Sequence, residues 1–314
     1  MSFQITEAFV QQYSANVFHL AQQKGSRLRG LVRSEMQVGK SAFYDRIGSV
    51  SAVKKLGRHT NTPQLDTPHS RRRVTLSDYE WADLIDKEDK IRMLNDPQSD
   101  YAMAAMWALG RSMDDEIIAA LGGNAYAGED GSTVVAFPNA QRFASHNTGG
   151  TAYTNLNVEA LRSVKKMFDA SDIDESITRN FAITSSQLHS LLGQTEITNV
   201  DYASVKALVQ GQVDSFMGFK FVRTERLPVV LASENLDGSF VDGSVTTGAS
   251  DLTGFRKCYA WAQDGALLAV GQDMMGKIDP RPDKSYATQV YACMTLGATR
   301  MEEEKVVEVI CKES

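Results

Sequence analysis

Residues 36–80 constrain the fold of this chain more than any other segment, because they cannot form a hydrophobic core of their own. Glycines and prolines interrupt the segment, and runs such as 73–76 favour extended backbone. The aromatic pair Phe43-Tyr44 is flanked by charged residues and offers too little apolar surface for an independent core. The sequence therefore predicts a long two-stranded excursion that rests on something else.

The charge distribution singles out the same region. Residues 24–73 contain 12 Lys or Arg and 3 Asp or Glu, which gives a net charge of +9. The remaining 21 basic and 36 acidic residues give the rest of the chain a net charge of −15. A basic segment ahead of an acidic body predicts an acidic partner, which is either nucleic acid or another copy of this chain.

Composition narrows the class of protein. With 314 residues, 42% of them hydrophobic and 23% charged, the chain is long and apolar enough to fold into one large or two ordinary domains. Its longest apolar run, 102–109, is far shorter than the roughly 18 residues that cross a bilayer, and its N-terminus lacks a secretory pattern. We therefore expect no membrane association and no secretory export. The three cysteines, Cys258, Cys293 and Cys311, are expected to be free and buried in strands.

Residues 97–121 carry the strongest helix pattern. Asp96 is a suitable N-cap, Pro97 fits the first helical position, and Gly122-Gly123 ends the pattern. Such a helix would be about 37 Å long. Gly110 lies on its apolar stripe, which predicts the close approach of a packed sheet at mid-helix.

The rest of the chain mixes helix and strand patterns, so the predicted fold class is α+β. Helices are predicted at 6–24, after a cap at Asn157, at 186–192, and after a cap at Asp201. Strands are predicted at 133–137, 180–184, 219–223, 258–270 with a break at Asp264-Gly265, and 290–296, and residues 306–311 are expected to complete a terminal hairpin. The helix at 6–24 either packs on its own domain or docks on a neighbour.

The sequence contains short patterns that also occur in enzymes, but the residues around each pattern do not fit a catalytic site. Gly122-Gly123 follows a helix, whereas phosphate-binding loops follow a strand. The Ser-x-x-Lys matches at 51–54 and 163–166 lack companion motifs, and His59 and His69 lack a third metal ligand. Asp114, Asp115 and Glu116 are interpreted as a solvated helix face. We therefore predict no catalytic residue, no cofactor and no metal.

The order of these features resembles the major capsid proteins of tailed bacteriophages, which have the Hong Kong ninety-seven type of fold. The resemblance is distributed over almost the whole chain, including Arg179 to Thr184, Gly218 to Phe221 and Gly297-Ala298. It assigns residues 1–35 to an N-terminal arm, 36–80 to an extended loop, 81–150 to a peripheral domain with the spine helix 97–121, 151–271 to an axial domain, and 272–314 to return strands of the peripheral domain.

The resemblance implies a structural protein, not an enzyme, that self-assembles into the hexamers and pentamers of an icosahedral head enclosing phage DNA. It implies assembly in the host cytoplasm, a place in the virion, and as partners a portal, a possible decoration protein and double-stranded DNA on the inner face. Because the chain starts directly at the arm, we expect a separate scaffold protein. The candidate inter-subunit contacts are the basic residues of the loop, Lys40, Arg46, Lys54, Lys55, Arg58, Arg71, Arg72 and Arg73.

Two other functions remain open at this point. A nucleic-acid-binding protein would use the same basic segment, residues 24–73, to contact phosphates. An encapsulin-type shell protein would share the fold but enclose enzymes. An acyl-transferring enzyme is a distant third, since only the isolated Ser-x-x-Lys matches favour it.

Overall fold

The computed structural model of the chain describes residues 22–55, 57–58, 61–62, 64–86, 98–146, 153–194, 215–231, 238–239, 245–246 and 252–313. The fold is α+β, as predicted. The predicted helix after Asp201, residues 6–21 of the predicted N-terminal helix, and the predicted cap Asp96 with Pro97 lie outside the described residues. The chain forms two compact units, the first from Met1–Ser26, Asp78–Met113 and Gln272–Thr295, and the second from Arg27–Ser77, Asp114–Gly271 and Leu296–Ser314.

Helix α1, Gln98–Gly122, is the long helix predicted at 97–121. Alanine, methionine and leucine, which favour helices, dominate its first half, and Gly122-Gly123 follows its last turn. Buried apolar side chains recur every four residues, at Ala105, Leu109, Met113, Ile117 and Leu121. That spacing places them on one face of the helix.

The strands of the described residues form four sheets. In chain order they are β1 (Arg33–Met36), β2 (Ser41–Ile47), β3 (His69–Thr75), β4 (Ser77–Ile85), β5 (Ala125–Ala127), β6 (Thr133–Val135), β7 (Arg142–Ala144), β8 (Arg179–Ile183), β9 (Ser215–Phe216), β10 (Phe219–Arg223), β11 (Gly238–Ser239), β12 (Val245–Thr246), β13 (Arg256–Ala262), β14 (Ala266–Arg281), β15 (Ala287–Arg300) and β16 (Val306–Cys311). The sheet orders are β1-β14-β15-β4, β7-β16-β13-β8-β10-β9, β11-β12 and β2-β3-β5-β6.

Strand β15 confirms the predicted alternation. Over residues 290–296 its buried positions are Val290, Ala292, Met294 and Leu296, and the residues between them are half-buried. On the half-buried side, Thr295 donates a hydrogen bond of 2.7 Å to the Asp78 carboxylate. The alternation arises because successive side chains of a strand point to opposite faces.

The six-stranded sheet lies in the second unit, and all residues of its strands β8 and β16 are buried. Its aromatic rings Phe181 and Phe219 pack edge to face with centroids 5.8 Å apart. Helix α2 (Val158–Ala170) begins at Asn157, whose side chain accepts a 2.7 Å hydrogen bond from the Ala160 amide, as the predicted cap requires. Helix α3 (Ser185–Leu192) is the predicted short helix.

The predicted terminal hairpin is wrong. Strand β16 pairs with β13 and β7 in the six-stranded sheet, whereas β15 lies between β14 and β4 in another sheet. All six residues of β16 are buried, so the strand needs covered faces and a neighbour on each side, which a hairpin edge would not provide. Cys258 and Cys311 are buried in strands of this sheet as expected, while Cys293 of β15 is half-exposed; all three are free.

The predicted excursion is a β-hairpin. Strands β2 and β3 pair antiparallel from Ser41 opposite Thr75 to Ile47 opposite His69. The hairpin is not purely two-stranded, because β5 pairs with Arg72 and Arg73 of β3 and continues the sheet to β6. One face of its base is covered, since Val74 is buried in a cluster with Leu267 and Ala269.

The acidic residues of α1 depart from the predicted solvated face. Asp114 is fully buried and accepts hydrogen bonds from the backbone amides of Arg27 and Leu28 at 3.0 and 3.1 Å. Asp115 forms a bidentate ion pair with Arg226. The interpretation is wrong for Asp114, because backbone amides of a segment far away in the sequence donate hydrogen bonds to its carboxylate. The spacing of residues within the helix does not predict that contact.

The close approach predicted at Gly110 is present, but its partner is not a sheet. A Cβ at Gly110 would lie 2.7 Å from the Cα of Gly25 and 2.8 Å from the amide nitrogen of Ser26. The Arg111 guanidinium donates to the Gln22 side chain at 2.9 Å and to the Gln23 carbonyl at 3.2 Å. The segment 22–26 therefore lies against α1.

We predict that Gly110→Ala destabilises the protein by about 1–2 kcal/mol. Helix propensity would favour alanine by up to about 1 kcal/mol, but overpacking against rigid backbone typically costs about 1–3 kcal/mol. Denaturant unfolding of the unassembled subunit measures the difference. Gly30→Ala is the matched control, because no atom lies within 4 Å of a Cβ at Gly30. Equal stability of Gly110→Ala and wild type would contradict the close contact.

Candidate subunit-contact surface

The eight basic residues predicted to contact a neighbouring subunit occupy different environments. Four are exposed, and their side chains form no hydrogen bond or ion pair with any other residue that the structure describes: Lys40, Lys54, Lys55 and Arg58. They lie before β2 and in the connection between β2 and β3. The other four lie within the paired strands, where their contacts differ.

Strand alternation separates the three consecutive arginines of β3. Arg71 is exposed and pairs with the Asp45 carboxylate at 2.7 Å. Arg73 lies on the same face, with its guanidinium carbon 5.0 Å from the centre of the Tyr126 ring. Arg72 points to the opposite face and is 1% exposed. Position in a strand, more than residue type, decides which of them a second molecule can reach.

Arg72 belongs to an ionic cluster at the base of the hairpin. It donates a hydrogen bond to Glu303 and another, of 3.3 Å, to the Met301 carbonyl. Arg46 donates to the same carbonyl and lies 3.7 Å from Glu303. Arg300, fully buried, lies 3.9 Å from Glu303. We call these five residues, Arg46, Arg72, Arg300, Met301 and Glu303, the hairpin anchor.

Arg300 ties the hairpin anchor to the surrounding backbone. Its guanidinium donates to the carbonyls of Leu121 at 3.0 Å, Gly123 at 2.8 Å and Val135 at 3.4 Å. Burial lowers the pKa of the Arg72 and Arg300 guanidiniums, and the Glu303 carboxylate opposes that shift. Arginine is not deprotonated in proteins, so both side chains are charged near neutral pH.

The hairpin anchor gives Arg72 and Arg46 polar contacts within their own chain. Arg72 has an intramolecular role, because its charge is buried and paired with Glu303 of the same chain. The physical reason is that a buried guanidinium must be paired, so the chain provides its own carboxylate. The alternation of β3 is the signal in the sequence that separates Arg72 from its neighbours. No local pattern identifies Arg300, Met301 or Glu303 as its partners.

Neither a metal site nor a membrane-spanning helix is found among the described residues. Within the described part of the chain, no three His, Cys, Asp or Glu side chains come together as a metal site. His69 is exposed at the end of β3, and His59 lies outside the described residues. No helix in the described ranges is long and apolar enough to cross a bilayer.

Comparison with known proteins identifies the class. A family model described as phage capsid protein matches residues 5–313. The chain therefore belongs to the phage capsid protein family. No curated protein matches the sequence significantly.

Solved structures share the fold over the full length. The capsid of Ralstonia phage GP4 is 10% identical, with a TM-score of 0.73, and the match covers 100% of this chain and 98% of that one. The capsid of the cyanophage P-SCSP1u is 17% identical, with a TM-score of 0.71 and coverage of 100% and 96%. The cyanophage Pam1 capsid is 12% identical, with a TM-score of 0.70 and coverage of 99% of each chain.

The fold is thus that of tailed-phage major capsid proteins, as the sequence resemblance implied. As a member of the phage capsid family, this chain is a structural protein of the virion that associates with copies of itself. The hairpin of β2 and β3 is the element whose exposed basic residues remain to be explained.

We predict that Glu303→Gln lowers the free energy of unfolding by about 3 kcal/mol, because removing one partner of a buried ion pair leaves uncompensated charge. Arg72 and Arg300 would both lose their neighbouring carboxylate. Urea denaturation of the unassembled protein measures the loss. Glu304→Gln makes the same charge change at an adjacent exposed position and should change stability by less than about 0.5 kcal/mol. Similar effects of the two variants would show that the hairpin anchor contributes no specific stabilisation.

Proposed function

We propose that this protein assembles through its hairpin into the hexamers and pentamers of an icosahedral phage head that encloses double-stranded DNA. The observation that carries the proposal is a basic hairpin whose base is anchored, while the side chains of Lys54, Lys55 and Arg58 in its connection are exposed and form no hydrogen bond or ion pair with another described residue. Six of the eight predicted contact residues lie outside the hairpin anchor and support it: Lys40, Lys54, Lys55, Arg58, Arg71 and Arg73. We further propose that residues 36–80 act as the extended loop of the family fold.

Apolar exposure on the same hairpin supports a protein partner. Ile47 is 69% exposed, and Val50, Val53 and Leu65 in the connection are at least half exposed. Isolated exposed apolar residues are ordinary, but several along one projecting element mark a surface that is covered in an assembly. Nucleic acid alone would leave these side chains in water.

The hairpin and the acidic body of the chain are complementary in charge. A contact in which each copy's hairpin lies on a different part of the next copy is heterologous, and such contacts close into rings when the rotation between copies divides a full turn. Complementary charge favours the correct neighbour and speeds association. Rings of six and five copies are the arrangement that a closed icosahedral shell requires.

The proposed partners follow from that role. They are a separate scaffold protein, a portal, a possible decoration protein and packaged DNA on the inner face, with assembly in the host cytoplasm. We propose no enzymatic activity, no cofactor and no membrane partner.

A second candidate function is direct nucleic-acid binding by the basic segment 24–73. The observation in its favour is that Lys54, Lys55 and Arg58 are exposed without a described counter-ion, as phosphate-binding side chains are. DNA affinity that falls steeply with salt, combined with the absence of rings or shells, would support this reading over the capsid shell. Closed shells that contain enzymes instead of DNA would favour the encapsulin-type alternative.

Negative-stain microscopy and sedimentation of the purified full-length chain test the assembly directly. We expect rings or closed shells, with well over about 2,000 Å² buried per subunit, as in obligate assemblies. The experiment includes a scaffold protein and host extract in parallel samples. A stable monomer at high concentration in all samples would refute the proposal.

We predict that reversing two loop charges, Lys54→Glu with Lys55→Glu, blocks assembly without unfolding the subunit. The two side chains are exposed and unpaired within the described residues, so the free energy of unfolding should change by less than about 0.5 kcal/mol. Light scattering follows assembly, and circular dichroism follows folding. Lys166→Glu on α2 is the control for a general change in surface charge. Normal shells from the double variant with reduced DNA binding would identify DNA as the partner of these lysines.

A further inference from the structure

The solvent-facing side of the sheet β2-β3-β5-β6 carries a row of directly opposed residues. Phe43 is opposite Arg73, Arg73 is opposite Tyr126, and Tyr126 is opposite Val134. Opposed residues in antiparallel strands share a face, so these four side chains form a line about 14 Å long. Phe43, Tyr126 and Val134 are 43%, 40% and 54% exposed.

The row is one apolar band around a single charge. Two of its members, Tyr126 and Val134, lie outside the basic segment 24–73 and outside the hairpin, so the charge pattern of the sequence does not indicate them. Exposed aromatic side chains next to an arginine have the composition of the energetically important centre of a protein interface. We refer to these four residues as the aromatic row.

Arg73 is held in place within the aromatic row. Its guanidinium stacks on the Tyr126 ring at 5.0 Å, and Gly131 leaves room for its stem, since a Cβ there would lie 2.6 Å from the Arg73 Cδ. Its Nε is buried without a hydrogen-bond acceptor, and the side chain forms no ion pair with any other described residue. Arg71, on the same face, is already neutralised by Asp45. Among the described residues, Arg73 is therefore a positioned cation without a carboxylate partner.

We propose that the aromatic row is a docking surface for a second copy of this chain, in which a carboxylate of an acidic segment pairs with Arg73 and apolar atoms beside it cover Phe43, Tyr126 and Val134. This inference rests on the proposed self-assembly and specifies one of its contacts. Charge complementarity selects the occupant, because the chain outside residues 24–73 has a net charge of −15. A planar guanidinium on an aromatic ring binds a carboxylate through two parallel hydrogen bonds.

The aromatic neighbours also favour a protein over a nucleic acid. Apolar contact with Phe43 and Val134 is gained when a protein segment lies across the row, whereas a phosphate backbone would bring charge and water to the same atoms. Stacked bases of single-stranded nucleic acid would suit Tyr126 but would leave the rest of the row unpaired. Nucleic-acid binding is therefore the competing outcome of the test.

The test compares Arg73→Ala with wild type in full-length protein, using light scattering for assembly and fluorescence anisotropy with short duplex and single-stranded DNA for nucleic-acid binding. We expect Arg73→Ala to raise the concentration needed for half-maximal assembly by about ten-fold or more, as for a central interface arginine. Arg71→Ala should have a smaller effect because Asp45 already neutralises Arg71. Arg162→Ala, an exposed arginine on α2, is the control.

Circular dichroism verifies the folding of each variant, and Arg73→Lys replaces Arg73→Ala if the latter fails to fold. Arg73→Lys keeps the charge but loses the planar pair, so it should assemble less well than wild type. Equal losses for Arg71→Ala and Arg73→Ala, or normal assembly of Arg73→Ala, would overturn the inference. Normal assembly with weakened DNA binding would assign the row to nucleic acid and overturn it as well. Wild type that fails to assemble would instead refute the proposed function itself.

Discussion

The ion pair between Arg72 and Glu303 determines how the hairpin is attached to the rest of its unit. Arg72 is nearly at the middle of β3, and Glu303 lies between β15 and β16, more than 200 residues further along the chain. A charge buried at this point would be costly alone, so the hairpin is stable only in the arrangement that brings the carboxylate to the guanidinium. Arg300 then connects the same carboxylate to the end of α1 and to β6 through three backbone carbonyls.

The two faces of the hairpin differ in what they contact. The inward face of its base, with Tyr44 and Val74, packs on β14 residues of the same unit. The outward face keeps Arg71, Arg73 and Phe43 accessible. One strand of seven residues therefore places a buried, paired arginine on one face and the more exposed Arg71 and Arg73 on the other, because successive side chains point in opposite directions.

Features fixed by local sequence were predictable, and features fixed by distant pairing were not. The ends of α1, the Asn157 cap and the alternation of β15 depend on neighbouring residues, and each is found within a residue or so of its expected position. The terminal hairpin, the partner of Gly110 and the buried state of Asp114 depend on segments far away in the sequence, and each expectation failed. For the candidate contact surface, the basic segment was evident from composition, but the aromatic row required the register that joins β3 to β5 and β6.

The hairpin contains both a buried, paired arginine and exposed cations, and the two kinds of charge affect a self-associating protein differently. A carboxylate that pairs with Arg72 inside the chain is unavailable to a neighbour, so the intramolecular contact does not compete with assembly. Lys40, Lys54, Lys55 and Arg58, in contrast, are exposed and form no ion pair with another described residue. Such unpaired surface charge stays hydrated and stabilises the free subunit little. Complementary charge across an interface thus acts on association and on the choice of partner, whereas the buried pair acts on the fold of the subunit itself.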